Sequence, residues 1–318
     1  MSEALDRIRS RIEALGMGFQ LIKPIQTKGN GVERETWLLD YEGAQFVFVP
    51  GQKRVTLGWD TGTCPLGPGV LEGLRKEFSL GHDYYYMDMM EDLKGEYQEQ
   101  IAEAEQDGGS PAADRLRAAL AEELEALEDE ARERGLDSWD HHMDLWNRRL
   151  SQCLSPLRTA DIGDMLVEAD SRSLDEDAPS LDEAVRSLKK GPFTLATEDE
   201  WEYLCNGGAR TLFRWGDTLE GVLSEIYAVG AVGQDENPES MLERPNALGL
   251  FIAYDSYQNE IIDNTAYTKG GDGGCSLCGG DGAIFVLPCY TAFYRHPAGS
   301  HCGISSQYHC YRRILRLP

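Results

Sequence analysis

The sequence predicts a loop-rich α+β protein interrupted by an inserted helical hairpin. Three observations carry that expectation. Short apolar runs with turn chemistry between them occupy residues 19–59. Two apolar stripes at helical spacing follow, between residues 90 and 131. After residue 155 long periodic segments are few, and one short helix stands out with both ends marked.

Residues 3–15 read as an amphipathic helix. Trp37-Leu-Leu-Asp-Tyr, Phe46-Val-Phe-Val and Val55-Thr-Leu-Gly, with Pro50-Gly51 between the last two, read as an antiparallel meander. From about residue 70 the pattern turns helical. Met90, Leu93, Tyr97, Ile101 and Ala104 recur three and four residues apart, as do Leu116, Leu120, Leu124, Leu127 and Ala131 beyond Gly108-Gly-Ser-Pro111. Residues so spaced share one face, so the two stripes predict an antiparallel helix pair. A third helix is expected over Trp139 to Cys153. An acidic, turn-rich stretch, 169–185, leads to a helix around Leu181–Leu188. The division expected is 1–69 for the first helix and opening strands, 70–155 for the helical insertion and 156–318 for the main part of the α+β domain.

The net charge of the 318 residues is −25, a field that repels phosphate backbones and argues against nucleic acid as a partner. Residues 91–136 alone hold 15 acidic and 5 basic side chains. The first reading is a solvated outer face on the hairpin; the second is a docking surface for a basic partner. No run of eighteen apolar residues exists, so no membrane span or membrane partner is expected. The polar N-terminal helix does not read as a secretion signal, so a cytoplasmic location is expected. In that compartment the eight cysteines are expected as thiols, metal ligands or core residues rather than disulfides.

The marked helix lies in Leu195-Ala-Thr-Glu-Asp-Glu-Trp-Glu-Tyr-Leu-Cys-Asn-Gly-Gly-Ala-Arg-Thr-Leu-Phe-Arg-Trp-Gly-Asp217. Thr197 and Glu200 have capping-box spacing, and Asn206-Gly207-Gly208 is a stop, because glycine tolerates the left-handed conformation beyond a helix end. The residue order resembles the signature of the formylglycine-generating enzyme and sulfatase-modifying-factor superfamily. Phe46-Val-Phe-Val-Pro-Gly…Leu57-Gly58 and Pro245-Asn-Ala-Leu-Gly-Leu-Phe251 resemble two further blocks of it. So do Tyr290-Thr-Ala-Phe-Tyr-Arg295 and Tyr311-Arg-Arg-Ile-Leu-Arg. The resemblance implies a C-type-lectin-like fold over residues 44–60 and 155–318, with the helical hairpin as an insertion.

It also implies sites. The family binds calcium where Asp255 and Asn259 stand here, but its glutamate ligand is Ile262 in this chain. Its copper is held by two cysteines whose positions fall on Gly282 and Leu287. Soft thiolates suit copper(I), and neither residue supplies one, so formylglycine generation is not expected. Iron-dependent relatives add a His-x-x-x-His-x-Glu triad; His82, His141 and His142 lack that spacing and read as surface histidines. Independently of the family, Cys275-Ser-Leu-Cys278-Gly is a turn that suits structural zinc, with Cys289, His301, Cys302, His309 and Cys310 as candidates to complete four ligands.

The last thirty residues are rich in tyrosine, histidine and serine, the composition of adaptable binding surfaces. In C-type-lectin-like folds this region faces the ligand. The sequence thus points to a module that binds a protein or small molecule through Tyr290, Tyr294, Arg295, His296, His301, Tyr308, His309 and Tyr311. The opposing reading places the tyrosines in the core. The rival function is a metal-dependent oxidase using copper or iron held by an altered set drawn from Cys289, His301, Cys302 and Cys310.

Overall fold

The computed structural model describes residues 3–29, 32–106, 110–228, 241–278, 286–297 and 303–318. It is an α+β structure whose chain divides into two compact units. One comprises Met1–Pro68 and Leu150–Pro318; the other is Gly69–Arg149.

The first unit opens with α1 (Glu3–Ala14), followed by the strands β1 (Gln20–Gly29), β2 (Val32–Tyr41), β3 (Ala44–Val49) and β4 (Gln52–Leu57). After the second unit the chain returns as β5 (Arg158–Ile162) and β6 (Met165–Glu168). The returning strands pair with those that left. β6 lies against β3, and β5 against β4, both antiparallel. The final strand, β12 (Ile314–Arg316), completes an antiparallel sheet of order β1-β2-β3-β6-β12. Alternation along β2 turns Trp37 and Leu39 inward, where they meet Leu5, Ile12, Phe46, Phe48 and Phe193 in one apolar cluster. Trp37 also ties helix to sheet, its indole N–H donating to the Leu5 carbonyl at 2.9 Å.

A second sheet has the order β10-β9-β8-β11-β7, from β7 (Arg172–Ser173), β8 (Asn259–Ile261), β9 (Tyr267–Gly270), β10 (His296–Pro297) and β11 (His309–Tyr311). β8 and β11 run parallel; the other neighbours are antiparallel. The helices α6 (Leu181–Leu188), α7 (Glu198–Asn206) and α8 (Val222–Ala228) lie in the chain between these short strands, and α6 packs on Ile261 of β8 and Tyr311 of β11.

Two glycines let the departing and returning strands close on each other. A Cβ on Gly58 would meet the Pro156 carbonyl oxygen at 1.9 Å, and one on Gly51 would meet that of Ile162 at 2.3 Å. Gly58 also has φ +75°, a region that L side chains rarely adopt. Beside it, Trp59 N–H donates to the Ser155 carbonyl at 2.9 Å, so the long excursion leaves and returns at one point.

The second unit is helical. α2 (Pro68–Asp83) runs through a π-helical turn, Tyr84–Met89, into α3 (Met90–Gln106); α4 (Ser110–Glu133) and α5 (Trp139–Cys153) follow. α3 and α4 pack along the two predicted stripes, although within them only Met90, Ala113 and Ala131 are fully buried. The Gly-Gly of the predicted turn lies outside the described residues. α2 falls within the expected helical insertion, with Val70, Leu74 and Phe78 at four-residue spacing, although sequence reasoning sets no bounds for it and does not foresee the π turn. A π turn holds one residue more than an α turn, which shifts the apolar positions out of register. His142 corrects the surface-histidine expectation: it is 3% exposed, between Phe78 and Trp139. Its burial lowers its pKa by penalising the charged ring. His82 and His141 each face a neighbour in the same unit, the Leu136 carbonyl at 2.7 Å and Asp137 at 2.6 Å.

Candidate functional site

The signature helix α7 is capped as its sequence requires. Glu200 N–H donates to the Thr197 hydroxyl at 3.2 Å, and Thr197 N–H donates to the Glu200 carboxylate at 2.8 Å. Gly207 closes the helix with φ +64°. Glu198 and Glu202 lie four residues apart, so both project from one side. Around them the fold gathers three cations that are remote in sequence.

Glu202 and Lys269 have fully buried side chains, with Lys269 Nζ 3.0 Å from Glu202 Oε1 and 3.6 Å from Glu198. The same Glu202 carboxylate accepts from the Ser155 hydroxyl at 2.5 Å and from Gly58 N–H at 3.0 Å, and Arg158 lies 3.2 Å away. Trp201 stacks beneath Lys269, 5.2 Å from ring centre to ammonium. Arg295 grips Glu198 with two hydrogen bonds of 2.7 Å, and the Tyr267 hydroxyl adds a third at 2.9 Å. Paired carboxylates beside a lysine invite an acid–base reading. The geometry argues otherwise: Glu202 and Lys269 are shut off from solvent, and their hydrogen bonds are spent on each other and on the scaffold. The cluster braces the fold.

Burial alone would raise the Glu198 pKa, but Arg295, Lys269 and Tyr267 together hold it down at about 2, against an ordinary 4.5. The folded carboxyl thus binds its proton less tightly than the unfolded one. Its contribution, of about 3 kcal/mol, is complete above pH 4.5 and drains away as pH falls towards 2. Urea unfolding of wild type and Glu198→Gln between pH 5 and 2.5 should show the wild type losing its advantage across that window. Parallel pH profiles would remove Glu198 from the account.

The C-terminal segment is placed mostly inside. Tyr290, Tyr294 and Tyr311 are 0%, 3% and 9% exposed, and His309 is buried as well. This corrects the expectation that they form an open binding face. A 3-10 helix, Leu287–Tyr290, carries Tyr290 into the core, and Phe293 and Arg295 exchange backbone hydrogen bonds with Ser155 and Cys153. Tyr311 and His309 belong to β11, which lies between β8 and β7 and is covered on both edges. Arg295, His296 and Tyr308 are half-buried, with Arg295 committed to Glu198; His301 lies outside the described residues.

The calcium expectation does not fit the groups present. The surroundings of Asn259 turn its amide nitrogen to the Gly271 carbonyl and the Thr268 hydroxyl, and its oxygen to Gly273 N–H at 3.2 Å. Asp255 accepts from Tyr257 N–H at 2.8 Å, and its burial raises its pKa. Ile262, at the family's glutamate position, is wholly buried. A hard cation needs about six oxygens, and the side-chain oxygen of Asn259 is already bound to Gly273 N–H.

For zinc, Cys275 and Cys278 occupy one turn, α9 (Cys275–Cys278), with Cys275 exposed. The side chain of Cys278, with His301 and Cys302, lies outside the described residues. The other candidates, Cys289, His309 and Cys310, are buried. Among the described residues no group of three or more His, Cys, Asp or Glu converges as a metal site. Burial pushes the thiols of Cys205 and Cys310 up to about 12, which keeps them protonated and poor ligands at neutral pH. Leu287, one of the family's copper positions, is fully buried; Gly282, the other, lies outside the described residues.

One cavity suits a small molecule. It has a volume of about 320 Å³ and lies where α1 crosses the β1–β2 hairpin. Ala4, Ile8, Phe48, Pro50 and Leu248 form its apolar walls, and Thr27, Arg34, Glu35 and Thr36 its polar side. Sequence reasoning missed it, since its parts come from α1, three stretches of sheet and a loop near residue 248. The Glu198–Glu202 spacing was the one local signal for the buried cluster; nothing local marks Lys269 or Arg34. Among the described residues no helix is long and apolar enough to cross a membrane. Compared with protein-family models, curated proteins and solved structures, the chain matches none.

Proposed function

We propose that the chain is a cytoplasmic, non-formylglycine-generating member of the formylglycine-generating-enzyme superfamily, with a C-type-lectin-like core, that acts as a small-molecule binding module. The scaffold half of this reading is supported by motif blocks whose residues have internal jobs. Asn246 of the Pro-Asn block is buried. Its amide donates to the carbonyls of Leu204 and Cys205 at 2.6 and 2.8 Å and accepts from the N–H groups of Leu248 and Leu250. It therefore staples the loop near residue 248 to the end of α7.

The binding half rests on one observation, the 320 Å³ cavity with apolar walls and a few convergent polar groups. That is the usual form of a small-molecule site, at the lower end of the usual size range of about 300–1,000 Å³. It replaces the C-terminal face, where Tyr290, Tyr294 and Tyr311 are buried. The oxidase reading is the weaker one, because Cys289 and Cys310 are buried and Cys310 is held as a thiol. Metal analysis of chain purified without chelator, combined with oxygen uptake on a thiol substrate, separates the two. Copper and iron far below one equivalent and no uptake are expected. Stoichiometric copper or iron with thiol-dependent uptake would overturn the binding reading.

A further inference from the structure

We infer that the cavity takes an apolar organic carboxylate and that Arg34 is its anion-binding group, an assignment that rests on the cavity being the binding site. The apolar walls supply room for a ring or branched chain. The polar side is asymmetric in a way that selects the other end of the ligand. The Thr27 hydroxyl donates to the Ala247 carbonyl and the Thr36 hydroxyl to the Phe48 carbonyl, both at 2.7 Å. With their hydrogens spent, both oxygens can only accept. Glu35 is an acceptor too. Among the described lining residues, Arg34 is therefore the one side chain able to donate to an anion.

Arg34 is half-buried and held from one side. Its guanidinium donates to the Tyr203 hydroxyl at 3.4 Å and the Gly207 carbonyl at 3.2 Å, and Tyr203 is itself oriented by donating to the Pro50 carbonyl at 2.7 Å. Both acceptors are neutral. Arg158, Arg295, Arg312, Arg313 and Arg316 each face a carboxylate, whereas Arg34 faces none among the described residues. In a chain of net charge −25, a partly buried cation with no counter-ion among the described residues is poised for an external anion. A planar carboxylate matches the guanidinium fork. The Glu35 carboxylate on the same lining, within so acidic a chain, disfavours a doubly charged phosphate.

Calorimetric titration of the full chain with 4-phenylbutyrate and with its neutral amide tests the assignment. The carboxylate should bind at least about tenfold more tightly, the usual effect of a charge-assisted hydrogen bond. Arg34→Met should erase that difference with the amide still binding, and Arg34→Lys should keep part of it. Ala4→Trp, on the exposed rim, should block both compounds without lowering the melting temperature. Equal affinities for acid and amide would overturn the carboxylate assignment while leaving the cavity as a binding site. No binding of either compound at millimolar concentration would overturn both readings. Binding that Ala4→Trp does not disturb would place the ligand elsewhere and also overturn both.

Discussion

Lys269→Met is expected to lower the unfolding free energy by about 3–5 kcal/mol, the usual cost of removing one partner from a buried ion pair. The methionine keeps most of the volume against Trp201, so packing is a minor part of the loss. The main part is electrostatic. Glu202 stays fully buried with its negative charge, and Glu198 loses a neighbour at 3.6 Å. Arg158, 3.2 Å from Glu202, compensates in part, which favours the lower half of the range. Adding Glu202→Gln removes the stranded charge while keeping acceptors and donors near Ser155 and Gly58. The double variant should recover part of the stability, and a urea-denaturation cycle over the four proteins measures how much. A loss under about 1 kcal/mol for Lys269→Met would mean that water already reaches the pair.

Gly58→Ala is the second large effect, expected at about 2–4 kcal/mol. Two costs add. One is conformational, since alanine is strained at φ +75°. The other is steric, because the new Cβ would stand 1.9 Å from the Pro156 carbonyl oxygen, backbone that cannot swing aside as a side chain does. Gly16→Ala isolates the first cost. Gly16 has φ +63° and open space, with nothing within 4 Å of where the new methyl would stand, so it should lose only about 1 kcal/mol. Thermal or urea unfolding of both variants compares them. Equal losses would show that the strands can part at Gly58, and that the close approach there is not a constraint. The site also matters to the first prediction, for Gly58 N–H donates to Glu202. Shifting that backbone loosens the carboxylate's frame, so the two substitutions should not be additive.

Local chemistry was legible wherever a few neighbouring residues decide the outcome. The capping box of Thr197 and Glu200, the glycine stop at Gly207 and the helices at residues 3–14, 139–153 and 181–188 are of this kind. Each depends on hydrogen bonds or apolar spacing spanning three or four residues. The π turn at Tyr84–Met89 shows the limit, since one extra residue per turn disguises the period. The C-terminal tyrosines show another. Composition says that Tyr290, Tyr294 and Tyr311 are amphipathic and adaptable, and both a surface and a core use such residues. Only the path of the chain, through a 3-10 helix and between two strands, chose the core.

The sequence by itself determined an acidic α+β chain, its capped signature helix and the apolar faces of its helical pair. These follow from short-range periodicity and turn chemistry. The tertiary structure alone decided which polar groups meet. Glu202 faces Lys269 across 67 positions, and Arg34 reaches Tyr203 across 169. No local pattern encodes such pairs, because their members stand on elements that meet only in the folded chain, α7 against β9 for the first and β2 against α7 for the second. The fold spends Glu198 and Glu202 on holding itself together and leaves Arg34, beside an apolar cavity, with only neutral partners among the described residues.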